Sequence, residues 1–264
     1  MNKKVILLTG GSSGIGKATA EALRDRGCIV YSCSRRDGGI PGINHIGTDV
    51  TDTVSAASAV ETVIAAEGRI DVLINCAGAG ISGAVEFTEA EQVKWQMDVN
   101  FMGTVNMNKA VLPHMRQAGK GRIVNISSVA AAFPIPFQAY YSASKAAINA
   151  YTCALANEVR PFGITVTAIQ PGDIQTGFTA SRVKSAAGDD VYGGRIARSV
   201  SVMERDEENG MKPETAGKWI AGIALSDKKK PVWTLGAGYK CLCILGKVLP
   251  LSLVNRLIGM IYAK

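Results

Sequence analysis

Tyr141 and Lys145 stand four residues apart in the stretch Ala139-Tyr140-Tyr141-Ser142-Ala143-Ser144-Lys145. The mostly small residues from Ser142 to Ala150 suit a helix, and at that spacing the two side chains share one face, one turn apart. A lysine ammonium held there favours phenolate over phenol. It would lower a tyrosine pKa from its usual value of about 10 and make Tyr141 a proton donor and acceptor near neutral pH. Tyr140, five residues from Lys145, is rotated off that face. In a chain with 7 tyrosines and many lysines, a chance Tyr-x-x-x-Lys is commonplace. The motif gains weight from its company: a glycine-rich turn near the start of the chain, and Ser128 upstream.

The elements that must position these residues follow from the apolar pattern. Val5 to Thr9 is a short continuous apolar run, as expected of a strand buried on both faces in a parallel sheet. Gly10-Gly11-Ser12-Ser13-Gly14-Ile15-Gly16 follows, and Lys17 to Arg26 reads as a helix. Strand, glycine-rich turn and helix form the setting in which backbone N–H groups and a helix N-terminus bind a pyrophosphate. The spacing Thr9-Gly10-x-x-x-Gly14-x-Gly16 has a longer first gap than Gly-x-Gly-x-x-Gly. A second strand, Cys28 to Ser34, ends in Ser34-Arg35-Arg36 with no acid before Asp37. At that strand tip an acid suits a ribose 2′-hydroxyl and an arginine a 2′-phosphate, so Arg35 favours NADP over NAD.

Further strands are expected from His45 into Val50, from Ile70 to Asn75, from Gly121 to Ser128, from Ile164 to Gln170 and from Pro231 to Leu235. Helices are expected at Val54 to Ala66, in one long stretch from Glu89 to about Gln117, from Tyr141 to about Arg160, and from Pro213 to Leu225. The alternation gives a doubly wound, mostly parallel α/β sheet with helices on both faces, in which ligands bind at the carboxyl ends of the strands. Every motif named so far falls at such an end. Residues 173–212 are polar, with scattered Phe178, Tyr192, Met203 and Met211, and read as a substrate lid.

Composition fits one large domain: 47% hydrophobic, 19% charged, with no linker or internal repeat. Cys28, Cys33, Cys76, Cys153, Cys241 and Cys243 form no zinc spacing, and His45 and His114 are the only histidines, so no metal is expected. With Met1 to Lys4 leading directly into a strand, a cytoplasmic setting is expected. The net charge of +7 is unevenly spread. Lys228, Lys229, Lys230, Lys240, Lys247, Arg256 and Lys264 carry the whole excess, and no acid accompanies them. Residues 1–236 therefore read as the catalytic domain and residues 237–264 as a basic, apolar tail. Leu251 to Tyr262 is amphipathic at helical spacing, but Lys247, Pro250 and Arg256 cut the segment short of a membrane span. The tail packs on the body or a partner subunit, or it lies in a membrane interface.

Six motifs, in order and at matching spacing over residues 4 to 240, resemble the short-chain dehydrogenase/reductase family. They are the glycine turn, Asp49, Asn75-x-Ala77-Gly78, Asn100, Ser128 with Tyr141-x-x-x-Lys145, and Pro171-Gly172 followed by Thr176. The resemblance implies a Rossmann-like fold and a secondary alcohol/ketone oxidoreductase. Tyr141 would be the general acid/base, Ser128 the group bonding the substrate oxygen, and Lys145 the ligand of the nicotinamide ribose. Asn100 would hold a water in the proton relay. NADP(H) would be bound by Gly10, Ser12, Ser13, Gly14, Ile15, Gly16, Arg35, Asp49, Val50, Asn75, Ala77, Gly78, Tyr141, Lys145, Pro171, Gly172, Ile174 and Thr176. Family spacing selects Ser128 over the adjacent Ser127. The short segment after Arg35 and the tail are similar to members acting on steroids, retinoids and acyl lipids, so a small hydrophobic alcohol or ketone is the expected substrate. A homodimer or homotetramer is expected, and no nucleic-acid partner. Two other readings are a nucleotide-sensing regulator that has lost catalysis and a peripheral membrane or assembly protein that uses the tail.

Overall fold

The computed structural model describes residues 3–263. Seven strands form one wholly parallel sheet: β1 (Val5–Thr9), β2 (Ile29–Ser34), β3 (Asn44–Gly47), β4 (Val72–Asn75), β6 (Gly121–Ile126), β7 (Ile164–Gln170) and β9 (Val232–Thr234). Their order is β3-β2-β1-β4-β6-β7-β9. The chain runs outward from β1 to β3, then returns to place β4 on the other side of β1. That reversal opens a crevice beyond the carboxyl ends of β1 and β4, where such sheets bind ligands.

Side-chain alternation along each strand splits the apolar runs between two cores. On one face Val5 and Leu7 pack with Val60, Met107, Val111 and Leu155, under α2 (Thr53–Glu67), α4 (Gly103–Gln117) and α5 (Ala139–Glu158). On the other, Ile6 and Leu8 pack with Leu23 and Ile220, under α1 (Gly14–Arg24) and α8 (Pro213–Ala224). The two helices on that second face meet at Gly217, where a Cβ would stand 2.5 Å from the Ala18 carbonyl carbon. Glycine is needed there for close helix approach.

Three segments depart from the pattern read in the sequence. The long helix from Glu89 is two helices, α3 (Ala90–Met97) and α4, separated by a π-helical turn at Asp98–Met102. A π turn interrupts neither the run of helix-compatible residues nor the spacing within each helix, so the whole stretch reads as one helix. Such π turns collect at functional sites, and this one carries Asn100. Residues 173–212, the segment expected to be a lid, are ordered as α6 (Phe178–Ser181), β8 (Val183–Lys184) and α7 (Arg195–Glu208), and β8 pairs with β5 (Ile81–Ser82) in a small separate ribbon. The tail forms two helices, α9 (Ala237–Val248) and α10 (Leu251–Tyr262), and α10 packs against α7. No helix among the described residues is long and apolar enough to cross a membrane.

Candidate active site

A cavity of about 780 Å³ occupies the crevice at the carboxyl ends of the strands. Its floor is the glycine turn. A Cβ on Gly10 would stand 2.8 Å from the Ala77 nitrogen, and one on Gly16 would stand 2.1 Å from the Gly10 oxygen. The turn therefore lies flat against the end of β4 and leaves the room above it open. Thr9 Oγ1 holds the two strand ends together, accepting from the Cys76 and Ala77 N–H groups at 3.1 Å each. The first turn of α1 has no acidic residue and no side-chain cap. Its unpaired N–H groups and positive dipole end suit a pyrophosphate. Gly14, at φ +53°, faces Thr176 across the opening.

Beyond the turn, Ser12, Ser13, Arg35 and Arg36 line the cavity. The first acid after them in the chain, Asp37, does not line the cavity; it accepts the Gly39 N–H at 2.9 Å and closes its own turn. Arg35 is exposed there. Asp49 accepts from the Thr51 N–H at 2.9 Å and the Thr51 hydroxyl at 2.7 Å, and these bonds, with a smaller contribution from Arg35, hold its carboxyl below the usual range. This wall and the glycine floor can hold a dinucleotide across the strand ends.

At the other end stand Ser128, Tyr141 and Lys145. Pro134 and Pro136 bring the chain from β6 into α5, and Phe137 (φ 59°) is the one non-glycine residue with positive φ among the described residues. Small buried residues, Ser142 and Ser144, let the helix approach the sheet. Lys145 is 5% exposed, and its Nζ donates to the Ile126 carbonyl at 3.0 Å. It lies 5.7 Å from the centre of the Tyr141 ring. Burial pushes the Tyr141 phenol up to about 12, although its hydrogen bond with Ser128 and the charge of Arg182 pull the other way. Burial likewise pulls Lys145 down to about 8. The expected acidification of Tyr141 by Lys145 is thus reversed in this structure. The ammonium donates to a backbone carbonyl, and desolvation of the phenol outweighs the opposing influence of Ser128 and Arg182.

Nearly every residue singled out in the sequence lines this cavity; Asn75 and Asn100 do not. Asn75 is turned into the sheet, donating to Asn108 Oδ1 at 2.8 Å and Asn125 Oδ1 at 2.9 Å. Asn100 clasps Ala79, accepting its N–H at 2.7 Å and donating to its carbonyl at 3.0 Å, and also donates to Ser144 Oγ at 2.9 Å. Its side chain is therefore a positioning group, joining the β4 loop to α5. Its backbone carbonyl accepts from the Thr104 hydroxyl at 3.0 Å. Ser127, the alternative serine, is buried and donates to the Lys145 carbonyl at 3.0 Å.

Sequence reading missed the polar frame that links residues 173–212 to the tail. Arg182 pairs with Glu207 and stands with its guanidinium 5.5 Å from the Phe178 ring centre. Tyr239 of α9 bonds Asp173, and Tyr262 of α10 donates to Asp206 at 3.0 Å. Phe178, Met203, Glu207 and Tyr262 all line the cavity beside Tyr141. These partners lie 25 to 66 residues apart, so no local spacing announces them. The arrangement can hold an extended ligand across the strand ends, with a half-buried phenol facing a partly apolar chamber.

Asn100→Ala removes the clasp and leaves the Ala79 N–H and carbonyl without these partners. A loss of about 1–3 kcal/mol is expected, read by urea unfolding. A change below about 0.5 kcal/mol, the size of an ordinary surface substitution, would mean that the clasp does not hold the loop.

Residues 4–187 match the family model described as short chain dehydrogenase. The chain is 45% identical over 241 residues to a 3-ketodihydrosphingosine reductase of Bacteroides thetaiotaomicron, covering 90% of this chain and 89% of that protein. It is 30% identical over 261 residues to a probable short-chain type dehydrogenase/reductase, VdlC, of Helicobacter pylori, covering 97% and 96% of the two chains. Among solved structures, a short-chain dehydrogenase from Streptomyces avermitilis superposes with a TM-score of 0.83 at 30% identity, covering 97% of this chain and 95% of that one. With its glycine floor, parallel sheet and Ser128-Tyr141-Lys145 wall, this chain belongs to the short-chain dehydrogenase/reductase family.

Proposed function

We propose that this oxidoreductase is an NADP(H)-dependent reductase that interconverts a ketone and a secondary alcohol on a hydrophobic, long-chain lipid of the 3-ketodihydrosphingosine kind. The observation that carries the reading is the convergence of Ser128, Tyr141 and Lys145 on one wall of the cavity, beside Phe178 and Met203. A relative at 45% identity named for such a substrate supports the lipid class. The reading as a regulator without catalysis is disfavoured, because the serine, tyrosine and lysine are all present and share that wall.

In this proposal Gly10, Gly14, Gly16 and the first turn of α1 hold the pyrophosphate. Arg35 meets a 2′-phosphate, Asp49 and Val50 border the adenine, and Ala77 and Gly78 border the adjoining ribose. Lys145 holds the nicotinamide ribose, and Ile174 and Thr176, beyond Pro171 and Gly172, hold the carboxamide. When bound, the coenzyme supplies or accepts the hydride. The chain supplies the proton. The Ser128 hydroxyl holds the substrate oxygen, and the Tyr141 O–H donates to that oxygen as negative charge develops on it. The phenolate left behind is met by the Ser128 hydroxyl and the Arg182 guanidinium, while Glu207 and Asp173 oppose its charge. Phe178 packs on the Tyr141 ring at 5.7 Å and limits water on that side. A desolvated phenol that stays protonated is suited to the reductive direction.

The direct test is a panel of steroid, retinoid, sugar and long-chain ketones, 3-ketodihydrosphingosine among them, with NADPH and NADH oxidation followed for each. Turnover of the long-chain ketone with NADPH preferred is expected. Arg35→Asp removes a planar cation suited to phosphate oxygens and installs a repulsive charge. It should raise the KM for NADPH by about tenfold or more, at roughly 1.4 kcal/mol per decade, and leave NADH little changed. Equal wild-type use of the two coenzymes would show that Arg35 meets no phosphate.

The pH dependence follows from the raised phenol. Reduction uses the protonated form of Tyr141, which dominates far above neutrality, so its rate should be flat between about pH 6 and 8. Oxidation uses the phenolate and should climb through that range. An oxidative rate already level near pH 7 would show that Tyr141 ionises well below about 12 in the working enzyme.

A further inference from the structure

The two C-terminal helices leave much of their apolar surface uncovered. Of the eighteen large hydrophobic side chains exposed among the described residues, nine lie on α9 and α10. On α10, Val254 and Ile258 form the inward stripe toward α7, and Tyr262 continues that stripe to the catalytic cavity. Leu253, Leu257, Met260 and Ile261 form a second stripe, 41–56% exposed. On α9, Tyr239 is pressed on Gly172 and Gly246 on Phe133. Ile244, Leu245 and Val248 are 66%, 51% and 78% exposed. An apolar surface spread along two successive helices is more than scattered surface hydrophobes.

The charges beside these stripes are all of one sign. No acidic residue occurs from Lys228 onward. Lys240 and Lys247, seven residues apart, flank the exposed stripe of α9, and Arg256 flanks that of α10. Trp219 of α8, half exposed, sits under the Lys240 ammonium at 5.1 Å and extends the patch with an aromatic ring suited to a lipid headgroup boundary. We propose that α9 and α10 dock on an anionic bilayer surface. Their exposed stripes lie at the acyl boundary, and Lys240, Lys247 and Arg256 lie at headgroup level. A second copy of the chain is a poorer occupant, because self-association would bring these basic flanks together with no acid on either side. Because Tyr262 both ends α10 and lines the cavity, docking would set the cavity mouth beside the lipid. Only this last step, substrate entry from the membrane, rests on the lipid reductase reading.

The test is co-sedimentation of the full chain with two kinds of vesicle, phosphatidylcholine alone and phosphatidylcholine with phosphatidylglycerol. No substrate is added, so a failure to reduce any ketone has no bearing on the result. Binding is expected to need phosphatidylglycerol and to fall steeply at about 1 M salt, where the Debye length is about 3 Å. Replacing Lys240, Lys247 and Arg256 together by Gln should lower partitioning by roughly a hundredfold, at about fivefold per charge. Leu253→Asp with Leu257→Asp should abolish it while unfolding by heat stays cooperative. Equal binding to both vesicles, no binding at low salt, or Asp variants that dissociate an oligomer in light scattering but still sediment with vesicles would each overturn the proposal.

Discussion

Lys145 spends its ammonium on the Ile126 carbonyl, and the geometry of the site follows from that bond. It ties α5 to the carboxyl end of β6 at a buried position. Ser127, one residue beyond Ile126, donates back to the Lys145 carbonyl and doubles the seam. With the helix fixed in this way, Tyr141 one turn away comes to rest beside Ser128, which caps its own short turn by accepting the Ala130 N–H. A charged group left unpaired here would carry a large desolvation penalty. The carbonyl reduces that penalty, and burial still depresses the lysine to about 8. The same desolvation holds the phenol protonated, so the low-dielectric wall that makes Tyr141 a poor base makes it a persistent acid.

Beneath that wall a polar ladder runs through the sheet. Asn75 bridges Asn108 and Asn125, and Asn125 donates to the Thr152 hydroxyl of α5 at 2.9 Å. Asn75 Oδ1 is buried without a partner. A partly satisfied network in an apolar core costs stability, and what it provides is a single register between β4, β6, α4 and α5. That is the group of elements whose relative placement sets the distance between the coenzyme floor and the tyrosine. Asn100 extends the link from the π turn to Ala79 and to Ser144 of α5.

The sheet was legible in the sequence because continuous apolar runs such as Val5 to Leu8 have one physical explanation, burial on both faces. The glycine turn and the Tyr141-Lys145 pair were legible because backbone approach and helical spacing are local constraints. The phenol's ionisation was not. It depends on how much protein covers the ring and on where the lysine nitrogen is spent, and neither is a property of spacing. The π turn at Asp98–Met102 was hidden for a related reason, since it keeps the apolar periodicity of the helices on each side. The polar frame of residues 173–212 and the tail was hidden most deeply. Asp173, Arg182, Glu207, Tyr239 and Tyr262 are brought together by chain reversals through α6, α7 and the tail.

The tail closes the same logic from the other direction. Residues 251–262 read as an amphipathic helix, and α10 has those bounds. Its inward stripe is narrower than the pattern suggested, because only Val254, Ile258 and Tyr262 face α7 and the cavity. The tail is therefore both a wall of the chamber and an uncovered surface. The central proposal remains the proton: Tyr141, half-buried and protonated, would give it to the substrate oxygen. Single-turnover oxidation of bound NADPH by 3-ketodihydrosphingosine, in wild type and Tyr141→Phe, tests it most directly. Coenzyme binding, followed by nucleotide fluorescence, should stay within a few-fold while the transfer rate falls by about a hundredfold or more. A transfer rate within about tenfold of wild type, smaller than the loss of a general acid produces, would contradict the account.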